Sequence, residues 1–141
     1  MWVRPMENRD IDAVNSLEQA CFTDAWSEAL ISNMFSNSYD RVYVLENDGE
    51  VIGYVNTRDI GGDVDLMSIC VKPSEQGKGY AKLLMDRIMS NPFNKMMLEV
   101  RESNERAIAL YEKYGFEKYA RRKEYYSNPV EDAIIMLITR S

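Results

Sequence analysis

Three short stretches of this chain carry residues whose type and spacing could do chemistry. Gln76-Gly77-Lys78-Gly79-Tyr80-Ala81 sets two glycines and a lysine just ahead of an apolar-periodic segment. A helix entered through such a loop presents unpaired backbone N–H groups, which is an anion site. Lys78 and Lys82 add positive charge there, and a glycine at 79 lets a diphosphate approach where a Cβ would block it. Glu99 stands in the apolar run Met96-Met97-Leu98-Glu99-Val100, where a buried carboxylate without a partner is expensive. A carboxylate so placed can take a proton from a reacting group, directly or through one water. Tyr111 shares a stripe with Ala107, Ile108 and Tyr114, and a phenol there can donate toward a developing anion.

Each stretch also has a plainer reading on its residues alone. The glycine loop is equally an ordinary strand-to-helix turn, Glu99 an exposed strand position or the partner of Arg101 or Arg121, and Tyr111 a core aromatic whose hydroxyl finds a partner. Spacing does exclude two nucleotide loops. A Walker A loop needs Lys-Ser/Thr after its last glycine, and Gly79 is followed by Tyr80. The dinucleotide fingerprint needs a small residue where Lys82 stands.

The elements that must position these groups follow from periodicity. A short strand at Trp2–Arg4 precedes apolar residues at helical spacing (Ile11, Val14, Leu17, Cys21), and Ser27 begins a second such pattern through Leu30, Ile31, Met34 and Phe35. Val42 and Val44 then alternate with polar positions, Asn47-Asp48-Gly49 reads as a turn, and Val51–Thr57 as the returning strand. After Gly61-Gly62 comes Val64–Val71, a strand apolar enough at its end to be central, stopped by Pro73. Ala81, Leu84, Met85 and Ile88 give the helix after the glycine loop its apolar face, and Asn91-Pro92 ends it. Met96–Val100 is a strand, and Ser103 or Asn104 caps a helix closed by Gly115. Glu117–Tyr126 and Ala133–Ile138 are the last two strands. The order βααβββαβαββ describes an α/β protein around a mixed, mostly antiparallel central sheet flanked by helices.

Composition narrows the chemistry. The 141 residues, 45% of them hydrophobic, suit one domain over residues 1–141. Histidine is absent, which removes Ser-His-Asp and Cys-His nucleophiles and the usual zinc ligand sets, so no metal is expected. Cys21 and Cys70 lack paired spacing and read as small core residues. No run of apolar residues is long enough to span a membrane, and the charged start of the chain does not resemble a signal peptide, so a cytoplasmic protein is expected. A net charge of −6 argues against direct nucleic-acid binding and for a basic partner.

The loop Gln76–Ala81 fits the pattern Gln/Arg-x-x-Gly-x-Gly/Ala and resembles the acetyl-coenzyme A loop of the GNAT superfamily of N-acetyltransferases. Leu98-Glu99-Val100-Arg101, Ser103-Asn104, Ala107-Ile108-Ala109-Leu110-Tyr111 and Gly115-Phe116 are similar to the ribosomal-protein-alanine N-acetyltransferases, the RimI-like branch. So are Trp26-Ser27, Arg121-Arg122, Tyr125-Tyr126 and Asp132-Ala133-Ile134-Ile135-Met136. The resemblance runs in order along nearly the whole chain. It implies a GNAT fold, acetyl-coenzyme A as co-substrate, and transfer of the acetyl group to a primary amine. It implies that Ile69, Cys70 and Val71 offer backbone hydrogen bonds to the pantetheine arm. Gln76, Gly77, Lys78, Gly79, Tyr80, Ala81 and Lys82 would hold the diphosphate, and Asn104 would contact the same molecule. Glu99 becomes the general base, and Tyr111 the acid that serves the leaving thiolate.

The acceptor implied is a basic protein N-terminus, that of an alanine-starting ribosomal protein. At pH 7.5 an α-amine with a pKa of about 7.7–8.0 is roughly a quarter to a third neutral, against about a tenth of a per cent for lysine. Two rivals stand beside this expectation: an enzyme for a small-molecule or lysine amine, and a non-catalytic acyl-coenzyme A binding module. Oligomeric state cannot be read from the sequence.

Overall fold

The computed structural model describes residues 1–22, 37–127 and 129–140. Seven strands form one sheet in the order β1-β2-β3-β4-β5-β7-β6. They are β1 (Trp2–Pro5), β2 (Asp40–Asn47), β3 (Glu50–Ile60), β4 (Asp63–Val71), β5 (Lys95–Arg101), β6 (Glu117–Tyr126) and β7 (Glu131–Thr139). The described helices are α1 (Ile11–Cys21), α2 (Tyr80–Met89) and α3 (Glu105–Lys113). The expected order therefore holds across the described residues, and the helix expected over Ser27–Phe35 lies outside them.

Neighbouring strands run antiparallel except β4 and β5. Those two are joined by α2, the crossover a parallel pair requires. Helices cover both faces. On one, α2 and α3 close a large apolar core of Tyr43, Leu45, Ile52, Val55, Leu84, Met85, Ile88, Met96, Leu98, Ile108, Phe116 and Met136. On the other, α1 packs Val14 and Leu17 against Val42, Val44 and Tyr54. Because β2 is covered on both sides, Tyr43 and Leu45 are as buried as Val42 and Val44; the expected polar alternation fails there for that reason.

The α1 face also buries charge. Arg4, 4% exposed, grips Asp10 through both carboxylate oxygens at 2.7 and 2.9 Å and reaches Glu46 at 3.0 Å. Glu18 accepts from Ser68 Oγ at 3.0 Å, and Ser68 is 2.7 Å from the Tyr54 phenol. Cys21 and Cys70 are not two separate core residues. They form a disulfide across a sequence separation of 49, because the end of α1 packs on β4, a proximity that sequence spacing does not reveal.

Two irregularities shape the centre. Asn56 pairs with Ser68 and Thr57 with Leu66, so Met67 is an extra residue that bends β4. The β4–β5 register then ends at Leu66 and Leu98, although β5 stays paired with β7 as far as Arg101. The two parallel strands splay apart toward their C-terminal ends.

Candidate active site

The splay leaves the β5 side of the β4 main chain without a ladder partner beyond Leu66. Lys72 N–H donates to the Ile52 carbonyl at 2.7 Å, one step past the Gly53–Val71 pair. Antiparallel pairs alternate between residues that exchange hydrogen bonds and residues that do not. The backbone groups of Ile69 and Val71 therefore point to the side that β5 has left. Those of Cys70 turn to β3, which departs from the expectation that all three line the arm. The Val71 carbonyl also accepts from Gln76 Nε2 at 2.9 Å, tying the strand end to the glycine loop.

That loop enters α2 through Gly79, whose φ of 82° suits glycine, and Gly77 takes a φ of 85°. Among the described residues no side chain caps α2, so the N–H groups of Tyr80 and Ala81 keep their hydrogen-bonding capacity, while that of Lys82 turns back to the Gly79 carbonyl at 3.3 Å. A Cβ built on Gly79 meets nothing within 4 Å, so the loop is open on that side. The residues fit an anionic diphosphate. By contrast α3 is capped, with Asn104 Oδ1 accepting from Ala107 N–H at 3.1 Å. Lys78 is paired with Glu75 at 2.7 Å, whereas the Arg106 guanidinium reaches the space beside Gly77. The sequence reading missed Arg106, since position 106 acquires meaning only when α3 lies beside the loop. Tyr114 fixes that neighbourhood by donating to Asp86 at 2.5 Å, with the Lys82 carbonyl 3.1 Å from the same hydroxyl. Tyr80 and Ala81 form the first turn of α2 and pack partly buried against the core.

Glu99 lies on the rim of the splay, its side chain 26% exposed, on the face opposite Leu98 and Val100. Its cationic neighbour is Arg122, with Nε at 3.8 Å. The two expected partners are engaged elsewhere: Arg101 with Glu131, and Arg121 with Glu102 and Asp132. The nearby Glu99 carboxylate, and then burial, lift the Tyr125 phenol above its ordinary range. Asp65, whose neighbour across the register is Met97, shares this face. Its carboxyl is pushed up by desolvation and then by the charge of Glu99.

Tyr111 is buried at 6% exposure and meets Phe116 edge-on at 6.0 Å. Burial, with a smaller contribution from Tyr126, pushes its phenol well above the usual range. Burial first, and then the charge of Glu99, push the Tyr126 phenol up to about 12. Tyr125 and Tyr126 are in edge-on contact at 5.0 Å. Among the described residues no group of acidic and sulfur side chains could hold a metal ion, and no helix is long and apolar enough to cross a membrane.

A seven-stranded mixed sheet splayed between parallel strands, with a glycine loop feeding an uncapped helix at the opening, defines an acyltransferase architecture. The model of the acetyltransferase (GNAT) family matches residues 11–116. The chain belongs to this family and is an N-acetyltransferase, and the fold uses acetyl-coenzyme A. It is 31% identical to the ribosomal protein bS18-alanine N-acetyltransferase of Haemophilus influenzae, over 95% of each chain. Identity to the Escherichia coli K12 enzyme of the same description is 30%, covering 96% of this chain and 95% of that one. The crystal structure of the ribosomal-protein-S18-alanine N-acetyltransferase from Escherichia coli superposes with a TM-score of 0.91 at 29% identity, covering 99% of this chain and 93% of the other.

Proposed function

We propose that this enzyme acetylates the N-terminal α-amine of a protein, and that its acceptor is the alanine N-terminus of ribosomal protein bS18. The observation that carries the reading is Glu99 on the rim of the β4–β5 splay, opposite the main chain of Ile69 and Val71. The donor supplies an activated thioester; everything else is done by the chain. Ile69 and Val71 present backbone groups that can pair with an amide-bearing arm. The N–H groups from Gly77 to Ala81 face the diphosphate, joined by the side chains of Lys78, Lys82 and Arg106 and the side of Asn104 not used in capping. These contacts hold the thioester carbon at the mouth of the splay, where proximity contributes much of the rate.

Glu99 accepts the proton of the attacking amine, directly or through a water. Tyr111, kept protonated by burial, donates a hydrogen bond to the departing sulfur. Its raised proton affinity makes full transfer to a thiolate, with an ordinary value near 8.5, uphill, so stabilisation of developing charge is the larger part of its role. The acceptor is basic by this reading, and the chain's charge of −6 draws it in.

The test supplies acetyl-coenzyme A with an alanine-starting bS18 peptide, an N-blocked lysine peptide and spermidine, each product read by mass spectrometry. Preferred modification of the α-amine supports the proposal. Faster turnover of lysine or spermidine transfers the activity to the other amine class, and cofactor binding without turnover of any acceptor reduces the chain to a binding module.

A further inference from the structure

The chain has two cysteines, and the fold brings both to one point where the end of α1 meets β4. Cys70 is 4% exposed, while Cys21, at the last position of the helix, is only partly buried. Each sulfur also faces a carbonyl oxygen: Cys21 Sγ is 3.4 Å from that of Val71, and Cys70 Sγ 3.5 Å from that of Leu17. Reduced, both thiols therefore have acceptors in place, and the Glu18–Ser68–Tyr54 hydrogen bonds hold α1 on β4 without the covalent bond. The junction can exist in either state with little rearrangement. One carbonyl in this arrangement belongs to the site described above. Val71 O, which faces Cys21, also accepts from Gln76, the first residue of the glycine loop.

We infer that Cys21 and Cys70 form a reversible thiol–disulfide site whose state sets the affinity of the β4 strand and glycine loop for acetyl-coenzyme A. The inference rests on the assignment of that strand and loop to the donor. The oxidant is a low-molecular-weight disulfide. The Cys21 thiolate, the more accessible sulfur, attacks one of its sulfurs, forming a mixed disulfide and releasing one small thiol. The Cys70 thiolate then attacks Cys21 Sγ and expels the second. Two protein thiols are oxidised, one small disulfide is reduced to two thiols, and a dithiol reverses the exchange. Closing the bond pins Cys70 and hence Val71 to α1, and it removes the Cys21 thiol that competes with Gln76 for the Val71 carbonyl. A strand ordered before binding loses less freedom on binding, so the oxidised form binds the donor more tightly, on the order of threefold to tenfold.

The experiment equilibrates the full chain with oxidised glutathione or with dithiothreitol, counts alkylated thiols by mass spectrometry, and measures acetyl-coenzyme A affinity by calorimetry in each state. The expected result is no alkylated thiol and tighter binding after oxidation, two alkylated thiols and weaker binding after reduction. Cys21→Ser, whose hydroxyl can still reach the Val71 carbonyl, should bind like the reduced protein under both conditions. Two free thiols after oxidation, or equal affinity in the two states, overturns the proposal even if Cys21→Ser fails to fold. Gly79→Val separates the two layers of the argument. It forces a branched residue into a left-handed conformation in front of the α2 donors. If it binds as tightly as wild type, the donor site itself is misplaced; if it alone loses binding while wild-type affinity ignores redox state, only the switch is wrong.

Discussion

The two faces of the sheet are built on opposite terms. Under α2 and α3 the packing is apolar from Tyr43 to Met136, and the Tyr111 phenol is buried within that cluster. Under α1 the sheet carries Arg4, Asp10, Glu18 and Asn56 at 4% exposure or less, with Asp65 and Glu99 further along the same face. Burying ionised groups contributes little net stability compared with apolar packing, so their concentration on one face points to placement of groups. The apolar face packs the sheet, and the polar face carries the side chains that the proposed reading assigns to the incoming amine.

The sharpest way to break this contrast is Glu99→Gln, which should lower kcat by about 10²–10⁴ while leaving donor affinity and Tm near wild type. Steady-state kinetics beside calorimetry and thermal melting checks it, and a melting loss in place of the kinetic loss would make Glu99 a structural group. Asp10→Ala should do the reverse, leaving Arg4 buried without its closest partner at a cost of about 3–5 kcal/mol in stability. Denaturant unfolding measures this. The hydrogen bonds from Arg4 hold the Asp10 carboxyl below the ordinary carboxylate range. The contribution of the pair is therefore fully present above about pH 3.9, the unfolded value, and is lost as pH falls through the lower folded value. Wild type should lose this increment in that acid window, and Asp10→Ala should show no such step.

Tyr111→Phe tests whether the apolar face takes part in chemistry at all. Loss of one hydrogen bond to developing charge should lower kcat on the order of tenfold, a smaller effect than at Glu99. A donor with a more acidic leaving thiol should narrow the gap to wild type, and an equal gap with both donors returns Tyr111 to the core. Asn56 gives the smallest effect. Both polar atoms of its side chain are buried without a hydrogen-bond partner among the described residues, so Asn56→Leu should be neutral or raise stability by about 1 kcal/mol. Destabilisation in urea unfolding would show that the amide has a polar companion after all.

The sequence displayed the apolar face more readily than the polar one, for a physical reason. Helical and strand periods mark side chains that share a core, which is why Leu84, Met85, Ile88, Ile108 and Tyr111 could be assigned to faces before any coordinates. The glycine loop was legible because a left-handed turn at Gly79 demands glycine. Partnerships across the sheet leave no such trace. Glu99 meets Arg122 and Tyr125 rather than Arg101 or Arg121 because the β6–β7 register shifts between Arg122 and Tyr126. The Cys21–Cys70 bond and the reach of Arg106 to Gly77 likewise depend on docking angles between distant segments. The backbone geometry of Cys70 was hidden for a subtler reason: which residues of β4 face away from β3 is set by ladder alternation, which residue identity does not encode.

The unladdered stretch of β4 bears on inhibitor selectivity. A compound designed to pair with the main chain of Ile69 and Val71 meets an amide and a carbonyl, groups that look alike whatever residue supplies them. Such a compound would hit any protein with the same opening between its strands, and point mutations in β4 would confer little resistance to it. A compound that reaches past the opening to Glu99, Arg122 and Tyr125 meets groups that exist only as side chains. It would discriminate among enzymes sharing this backbone and would be vulnerable to single substitutions.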